Sequence, residues 1–423
     1  MKVVERGLFF TAVVLALVLV ASKEGVAPEE EQDLHAGPSP VLAGAFPTRT
    51  LTYHNAFVSK LASRFIWEDS SHPRLQELRQ RERLEEVVAP ARSELERILL
   101  VKRWVGKQWQ FGRPVPYPPW DAATILDGVR SGAHGGWCGQ YAMVFLQALL
   151  SLGHHARYIE LGMLDNPYCH FTTEVWLNDQ QKWAVFDATP ISDCNCYYVG
   201  EQNVPLSALE LHRALVTGKG AEIRAIQDEQ VAPVRAELGA SPGLKSYYYV
   251  RWLWRTDQLS HNPEWVDMQH CFDRWNDSYE WQDDNTVMWE DSPLAASWEK
   301  NERQTAVRLS KPEEVEWRPG PEVMMEMRPL NHAEGLFALS LWSCMPDFER
   351  FEVQIDEGEW ATPQISEQDR HPTRALWGEG FFPLTLEPGV HTVRARTVAK
   401  SGDLGPVSFA TFEFERPKEG TPE

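Results

Sequence analysis

The stretch GGWCGQYA, residues 135–142, lies where a glycine-rich segment ends and a helical pattern begins. The apolar residues that follow recur at the spacing of one buried helix face: Tyr141, Val144, Phe145, Ala148, Leu149 and Leu152. Gly153 predicts the end of this helix. Cys138 is therefore expected in the first turn, where the helix dipole and unpaired backbone amides favour a thiolate and a developing oxyanion.

Strand-forming residues follow the helix in three segments, 156–161, 172–177 and 183–187. The polar turn NDQQ, residues 178–181, joins the last two segments and predicts a β-hairpin. His170 precedes the first strand of this hairpin, and Asp187 ends the second. Because antiparallel pairing brings these two ends together, the hairpin is predicted to hold His170 beside Asp187.

A cysteine, a histidine and an aspartate in this order favour acyl chemistry. A thiol attacks a carbonyl as the thiolate, so a neighbouring imidazole must take its proton, and a carboxylate fixes the orientation of that imidazole. Each residue alone has a simpler interpretation: Cys138 as a small core residue, His170 as an ordinary histidine and Asp187 as a turn residue. Their joint placement on a helix start and a hairpin favours a cysteine enzyme.

These motifs resemble the transglutaminase-like superfamily of papain-type cysteine enzymes. The matching stretches are GGWCGQYAMVF around Cys138, GHHARYIEL after the helix, HFTTEVWL from His170, and WAVFDATP around Asp187. A helix-like segment at 93–109 and the stretch WDAATILDG at 120–128 also look similar, so that the resemblance extends over roughly residues 91–195.

The resemblance implies an α+β fold with a papain-like core, in which the helix bearing Cys138 packs on an antiparallel sheet bearing His170 and Asp187. It implies Cys138 as nucleophile, His170 as general base and Asp187 as the group that orients the base. Two features differ from many relatives. The aromatic residue expected two positions after the histidine is Thr172 here, with Phe171 one residue earlier, and an extra loop occupies 162–169.

Further site residues are predicted around the triad. Trp109 and Gln108 are the candidates for a side chain that completes an oxyanion hole, with Trp109 ranked first. The candidates for the substrate groove are Trp137, Gln140, Phe171 and Glu174.

The N-terminus has the form of a secretory signal. Lys2 and Arg6 precede an apolar run from Leu8 to Ala21, which is shorter than the roughly 20 residues needed to span a bilayer. Export with cleavage near residue 22 is therefore expected, with an uncleaved membrane anchor as the alternative. Either form predicts an extracytoplasmic protein, secreted or periplasmic.

Six cysteines are compatible with disulfides in such a compartment. If Cys138 is catalytic, a bridge from Cys169 to Cys194 or Cys196 would fix the loop beside His170. A metal site built from Cys194, Cys196 and His212 is disfavoured, since the paired spacing of structural zinc sites is missing. No metal and no cofactor are therefore expected.

Composition predicts a soluble protein of several domains. The chain has 423 residues, is 43% hydrophobic and carries a formal charge of -20, which disfavours nucleic acid as a partner. The expected divisions are a signal or anchor at 1–22, a linker or N-terminal extension at 23–72, the catalytic domain at 73–215, a Trp-rich extension at 216–321, a β-sandwich at 322–416 and a disordered tail at 417–423.

Two regions after the catalytic domain bear on partners. Residues 244–317 contain eight of the eighteen tryptophans, which either attach an irregular extension to the core or form a sugar-stacking surface; the first interpretation is favoured. Short strands separated by turns after residue 322 predict an all-β module that resembles immunoglobulin-like or fibronectin-like domains of exported bacterial enzymes.

The expected function is that of an exported cysteine hydrolase acting on peptide or side-chain amides through an acyl-enzyme on Cys138. Transfer of the acyl group to an amine instead of water would make the protein a glutamine transamidase. Two more functions stay open: a peptide:N-glycanase-like amidase, and a non-catalytic protein that binds glycan or cell wall. The expected partner is a protein or glycopeptide substrate, with possible glycan or cell-wall contact through the Trp-rich region or the C-terminal module.

Overall fold

The computed structural model describes residues 48–54, 65–163, 170–191, 194–228, 243–260, 286–289, 307–320, 323–331, 334–343, 347–363 and 378–415. The predicted signal at 1–22, the predicted tail at 417–423 and Cys169 lie outside these residues. None of the helices in the described ranges is long and apolar enough to cross a membrane.

In the described part of residues 73–215, five helices precede the first strand and a sixth follows the strands. These helices are α1 (Pro73–Arg81), α2 (Leu84–Val88), α3 (Glu94–Gly106), α4 (Ala122–Ser131), α5 (Cys138–Ser151) and α6 (Ala208–Val216). The predicted helix after Cys138 is confirmed as α5, and Gly153 has a φ of 82° just beyond its end, where glycine is favoured.

The charged segment 73–88 forms two short helices instead of one continuous helix. Arg83 adopts a left-handed backbone conformation and separates α1 from α2. Leu75 and Leu78 of α1 and Leu84 of α2 are buried in the main core. The segment is therefore amphipathic, because its leucines recur on one face beneath the charges.

An eight-stranded sheet supports α5. Its strands are β2 (Ala156–Gly162), β3 (His170–Leu177), β4 (Lys182–Phe186), β5 (Cys196–Val199), β6 (Arg224–Gln227), β7 (Tyr249–Leu253), β8 (Thr286–Trp289) and β9 (Val307–Leu309), in the order β6-β5-β4-β3-β2-β7-β8-β9. The pairs at its centre are antiparallel, and Thr173 of β3 lies opposite Phe186 of β4. The predicted hairpin is thus confirmed.

Both faces of this sheet are buried, with side chains alternating between two cores as the pleat requires. Ala184 and Phe186 of β4 pack in the core around α5, whereas Trp183 and Val185 pack in the core that contains α6. Nearly every residue of α5 is buried, so this helix is the centre of the domain. The mixed helical and antiparallel architecture agrees with the predicted α+β core.

The Trp-rich region continues the eight-stranded sheet where the structure describes it. β7 pairs with β2, and Trp252, Trp254 and Trp317 are buried in the core on the α6 face. These three tryptophans attach the extension to the core and cannot stack on a sugar. Trp265, Trp275, Trp281 and Trp298 lie outside the described residues.

The C-terminal region forms two sheets that share one core. The strands are β10 (Met324–Asn331), β11 (Leu336–Ser343), β12 (Phe348–Ile355), β13 (Gly378–Thr385), β14 (Gly389–Ala399) and β15 (Ser408–Phe414). Phe337 of β11 packs against Phe412 and Phe414 of β15, across the space between the sheets. The predicted all-β region is present, and its immunoglobulin-like identity stays a prediction.

A strand from the N-terminal side completes this region. β1 (Thr48–His54) pairs antiparallel with β15, and the Tyr53 hydroxyl donates to the Met325 carbonyl of the other sheet (3.1 Å). The sequence predicts a linker or extension at 23–72 and no strand. The difference arises because a short edge strand depends on its partner strand rather than on its own composition.

Candidate active site

Cys138 is the first residue of α5, and a close backbone approach fixes the loop before it. The Gly135 amide donates to the Arg113 carbonyl (2.9 Å), and the Gly112 amide donates to the Gly136 carbonyl (3.1 Å). A Cβ on Gly135 would lie 2.6 Å from the Arg113 oxygen, so only glycine fits. The half-buried Cys138 carries a free thiol at the positive end of α5.

A side-chain cap holds this helix start. The Gln140 Oε1 accepts from the backbone amide of Trp137 (2.9 Å), and Gln140 is 1% exposed. The backbone amides of Cys138 and Gly139, in the first turn of α5, have no intrahelical acceptor. They are the donors placed to stabilise an oxyanion on a carbonyl attacked by Cys138.

His170 and Asp187 form a buried pair across the ends of β3 and β4. The His170 Nε2 lies 2.5 Å from the Asp187 Oδ2, and both side chains are at most 5% exposed. The Thr189 amide donates to Asp187 Oδ1 (2.9 Å), while the Asp187 amide donates to the Cys196 carbonyl (2.8 Å). Backbone hydrogen bonds therefore hold Asp187 both at its carboxylate and at its own amide.

Electrostatics favour a charged pair at this position. Burial lowers the pKa of His170, but the charges of Asp187 and Cys194 and the hydrogen bonds with Asp187 and Cys138 outweigh it, so that the pKa is raised well above its ordinary value. Burial raises the pKa of Asp187, but the His170 cation and the hydrogen bonds from His170 and Thr189 lower it below its ordinary value. The imidazolium and the carboxylate therefore stabilise each other.

The Cys138 thiol lies near enough to His170 to help raise the pKa of that ring. Because Asp187 occupies the Nε2 side of the ring, Nδ1 is the nitrogen that remains to exchange a proton with the thiol. Cys138, His170 and Asp187 are thus brought together, and their roles as nucleophile, base and orienting carboxylate stay a prediction.

Residues 81–188 match the family model of the transglutaminase-like superfamily. The match contains Cys138, His170 and Asp187, and it confirms the resemblance seen in the sequence. It identifies a family of cysteine-based enzymes that act on amides. No curated protein matches the chain.

A fourth group at this transglutaminase-like core was not predicted as a site residue. The Cys194 Sγ lies 3.7 Å from His170 Nε2, and potential ligand atoms of His170, Asp187 and Cys194 all lie within 4.8 Å of one another. The sequence predicts Cys194 or Cys196 as a disulfide partner of Cys169, which lies outside the described residues, and that bridge stays a prediction. His212, weighed with Cys194 as a metal ligand, instead contacts the Tyr247 carbonyl through Nδ1 (2.9 Å).

Neither side chain predicted for the oxyanion hole has its donor directed at the thiol. The Trp109 Nε1 donates to the Gly136 carbonyl (3.2 Å), and the Trp109 ring stacks on Tyr141 with centroids 3.9 Å apart. The Gln108 Nε2 donates to the Trp104 carbonyl (2.8 Å). Trp109 therefore supports the loop before Cys138, since its ring would contact any Cβ on Gly136.

The predicted groove residues divide into two kinds. Trp137 and Phe171 are half-buried beside Cys138, and Phe171 packs near Gly139 and against Tyr158. Gln140 is the helix cap described above and is too buried to line a groove.

Glu174 is also not a groove residue. It is 0% exposed, and its Oε2 accepts from Arg157 (2.6 Å) and from the Trp252 Nε1 (2.9 Å), while its Oε1 accepts from the Ala208 amide (2.8 Å). The Arg157 guanidinium lies 4.1 Å from the Trp183 ring centroid. This residue, which was predicted to line the groove, instead joins β2, β3, β7 and α6 inside the protein.

Proposed function

We propose that the protein is a transglutaminase-like cysteine hydrolase that cleaves peptide or side-chain amides through an acyl-enzyme on Cys138. The observation that carries the proposal is the buried His170–Asp187 pair, which lies close to the free Cys138 thiol at the start of α5. A core cysteine without this function has no need of a buried imidazole–carboxylate pair beside it.

The reaction proceeds in two halves on these groups. The Cys138 thiolate attacks the amide carbonyl, and the oxyanion is stabilised by the first backbone amides of α5. The His170 cation then gives its proton to the departing amine, so that the C–N bond breaks and a thioester remains. Water attacks the thioester, His170 takes a proton from this water, and the carboxylic acid leaves with regeneration of the thiolate.

Water is proposed as the acyl acceptor because exported bacterial members of this superfamily commonly hydrolyse amides. The apolar run at 8–21 supports an extracytoplasmic location, and the proposed substrates are proteins or glycopeptides that occur there. Phe171 and Trp137 are the side chains proposed to contact the substrate on either side of Cys138.

A labelling assay tests the reaction class and the acceptor together. The protein is incubated with a casein-type substrate and a fluorescent primary amine, with Cys138→Ala as the control. New termini or ammonia without label, absent in the control, support a hydrolase. Cys138-dependent labelling of the casein would establish transamidation instead. If neither cleavage products nor labelled casein appear, and Cys138 is no more reactive to iodoacetamide than an ordinary thiol, the proposal of an enzyme is refuted.

A further inference from the structure

The cluster of His170, Asp187 and Cys194 contains one more potential ligand than the proposed reaction uses. All three residues are buried, and their nitrogen, oxygen and sulfur atoms converge within 4.8 Å. The mechanism above assigns no step to Cys194. A thiolate, an imidazole and a carboxylate are the three ligand types that Zn²⁺ takes in proteins.

The separation of Cys194 and His170 matches two ligands of one tetrahedral ion. Ligands at the usual Zn–N and Zn–S distances of roughly 2.1 and 2.3 Å lie about 3.6 Å apart at a tetrahedral angle. The observed separation of Cys194 Sγ and His170 Nε2 is 3.7 Å. The His170–Asp187 contact of 2.5 Å is the edge that must open, so an ion and the His–Asp hydrogen bond are mutually exclusive.

The segment that carries Cys194 is held in place from a neighbouring helix. Lys102 of α3 is 1% exposed and donates to the Asn195 carbonyl (2.9 Å) and to its Oδ1 (2.7 Å). Asn195 has a φ of 57°, which turns the chain between Cys194 and Cys196, and the Cys196 carbonyl accepts from the Asp187 amide. The hydrogen bond between Asp187 and Cys196 therefore ties the turn that carries Cys194 to the segment that carries Asp187.

We propose that His170, Asp187 and Cys194 bind Zn²⁺ or a similar divalent cation, and that the bound ion switches Cys138 off. Three protein ligands leave a fourth position for water. A His170 ring that coordinates an ion through Nε2 cannot also hold a proton there, so it cannot cycle between imidazole and imidazolium for Cys138. The metal site stands on the geometry alone, whereas the effect on Cys138 rests on the proposed function.

Cobalt(II) provides a direct probe, because a thiolate ligand gives it a sulfur-to-cobalt charge-transfer band in the near ultraviolet. The full chain is freed of metal and titrated with Co²⁺ under a phosphine reductant, which also opens any bridge to Cys169. The wild type and Cys138→Ser are expected to show the band. Cys194→Ser is expected to weaken Co²⁺ binding by about 100-fold or more, since loss of even an outer partner costs about 10- to 100-fold.

Cys196→Ser is the matched control, since Cys196 is equally buried, two positions away and outside the ligand cluster. It is expected to retain the band. X-ray absorption reports on the ligands of bound Zn²⁺ without any substitution of Cys194. The spectra of the Zn²⁺-loaded wild type and of Cys138→Ser are both expected to show one sulfur at about 2.3 Å from the ion. Zn²⁺ is also expected to slow the alkylation of Cys138 in the wild type and in Cys196→Ser, but not in Cys194→Ser.

The proposal is overturned by three results: no band in the wild type, a band that persists in Cys194→Ser, or a band that disappears in Cys138→Ser. A wild type that binds Co²⁺ through Cys194 but has no amide-cleaving activity would refute the proposed function and leave the metal site standing. A wild type that shows no band but cleaves amides with Cys138 would refute the metal site and leave the proposed function standing.

Discussion

His170 Nε2 and Asp187 Oδ2 lie 2.5 Å apart because His170 is the first residue of β3 and Asp187 follows the last residue of β4. In an antiparallel hairpin these two positions are neighbours at the same end. The register pairs Thr173 with Phe186, which places the ends of both strands beside the start of α5. The contact between His170 and Asp187 is thus a product of strand register.

Replacement of His170 is expected to remove the reactivity of Cys138. In His170→Ala the thiol has no base, and general-base catalysis contributes about 10²- to 10⁴-fold in enzymes. The rate of iodoacetamide modification at Cys138, followed by peptide mass mapping, measures this loss. His391→Ala is the control, because His391 also pairs with an aspartate, Asp356, but lies in the C-terminal β region. An unchanged rate in His170→Ala would contradict the assignment of His170 as base.

The activity is expected to extend to alkaline pH. Because the charge of Asp187 helps to raise the pKa of His170 well above its ordinary value, the imidazolium that protonates the departing amine persists through neutral pH. Asp187→Asn removes that charge, so the pKa of His170 falls and the alkaline limb of kcat/KM moves to lower pH. The maximum rate is expected to fall by up to about 10⁴-fold. The pH–rate profiles of both proteins check this, and coincident alkaline limbs would contradict it.

The grouping of Cys138, His170 and Asp187 could be predicted from the sequence, whereas its surroundings could not. Cys138 follows from the periodicity of α5, and His170 and Asp187 follow from the hairpin pattern. Cys194 was not predicted as a site residue, because its approach to His170 depends on the left-handed turn at Asn195 and on the distant Lys102. Such contacts between segments remote in the chain leave no local pattern.

Contacts between remote segments also explain why Glu174 was predicted as a site residue but has a structural role. It is predicted to line the substrate groove, but side chains successive along a strand alternate between the faces of a sheet. The partners that determine its role, Arg157, Trp252 and Ala208, come from three other elements. The β1 strand likewise depends on β15, more than 350 residues away.

Truncation of Glu174 is expected to destabilise the fold without a specific effect on catalysis. Glu174→Ala leaves the fully buried Arg157 cation uncompensated, which typically costs about 3–5 kcal/mol. Urea unfolding measures the loss, and kcat per folded molecule is expected to be unchanged. Glu86→Ala, which removes the exposed pair with Arg83, is the control and should cost no more than about 1 kcal/mol. A reduced kcat with normal stability would instead place Glu174 in the groove.

The contact between the loop before Cys138 and the segment around Gly112 can be tested with an internal control. Gly135 and Gly112 lie on the two sides of this contact and differ in the space around them. Gly135→Ala would place a Cβ 2.6 Å from backbone atoms of both Arg113 and Gly112, and neither can move without breaking the contacts that fix the loop. We expect Cys138 to be displaced and kcat to fall about 100-fold, the cost of a shift of about 1 Å. Gly112→Ala meets nothing nearer than 3.8 Å and should be tolerated. Steady-state kinetics and urea unfolding of both variants separate misplacement from global loss of stability. Equal activity of the two variants would show that the backbone approach at Gly135 does not position the thiol.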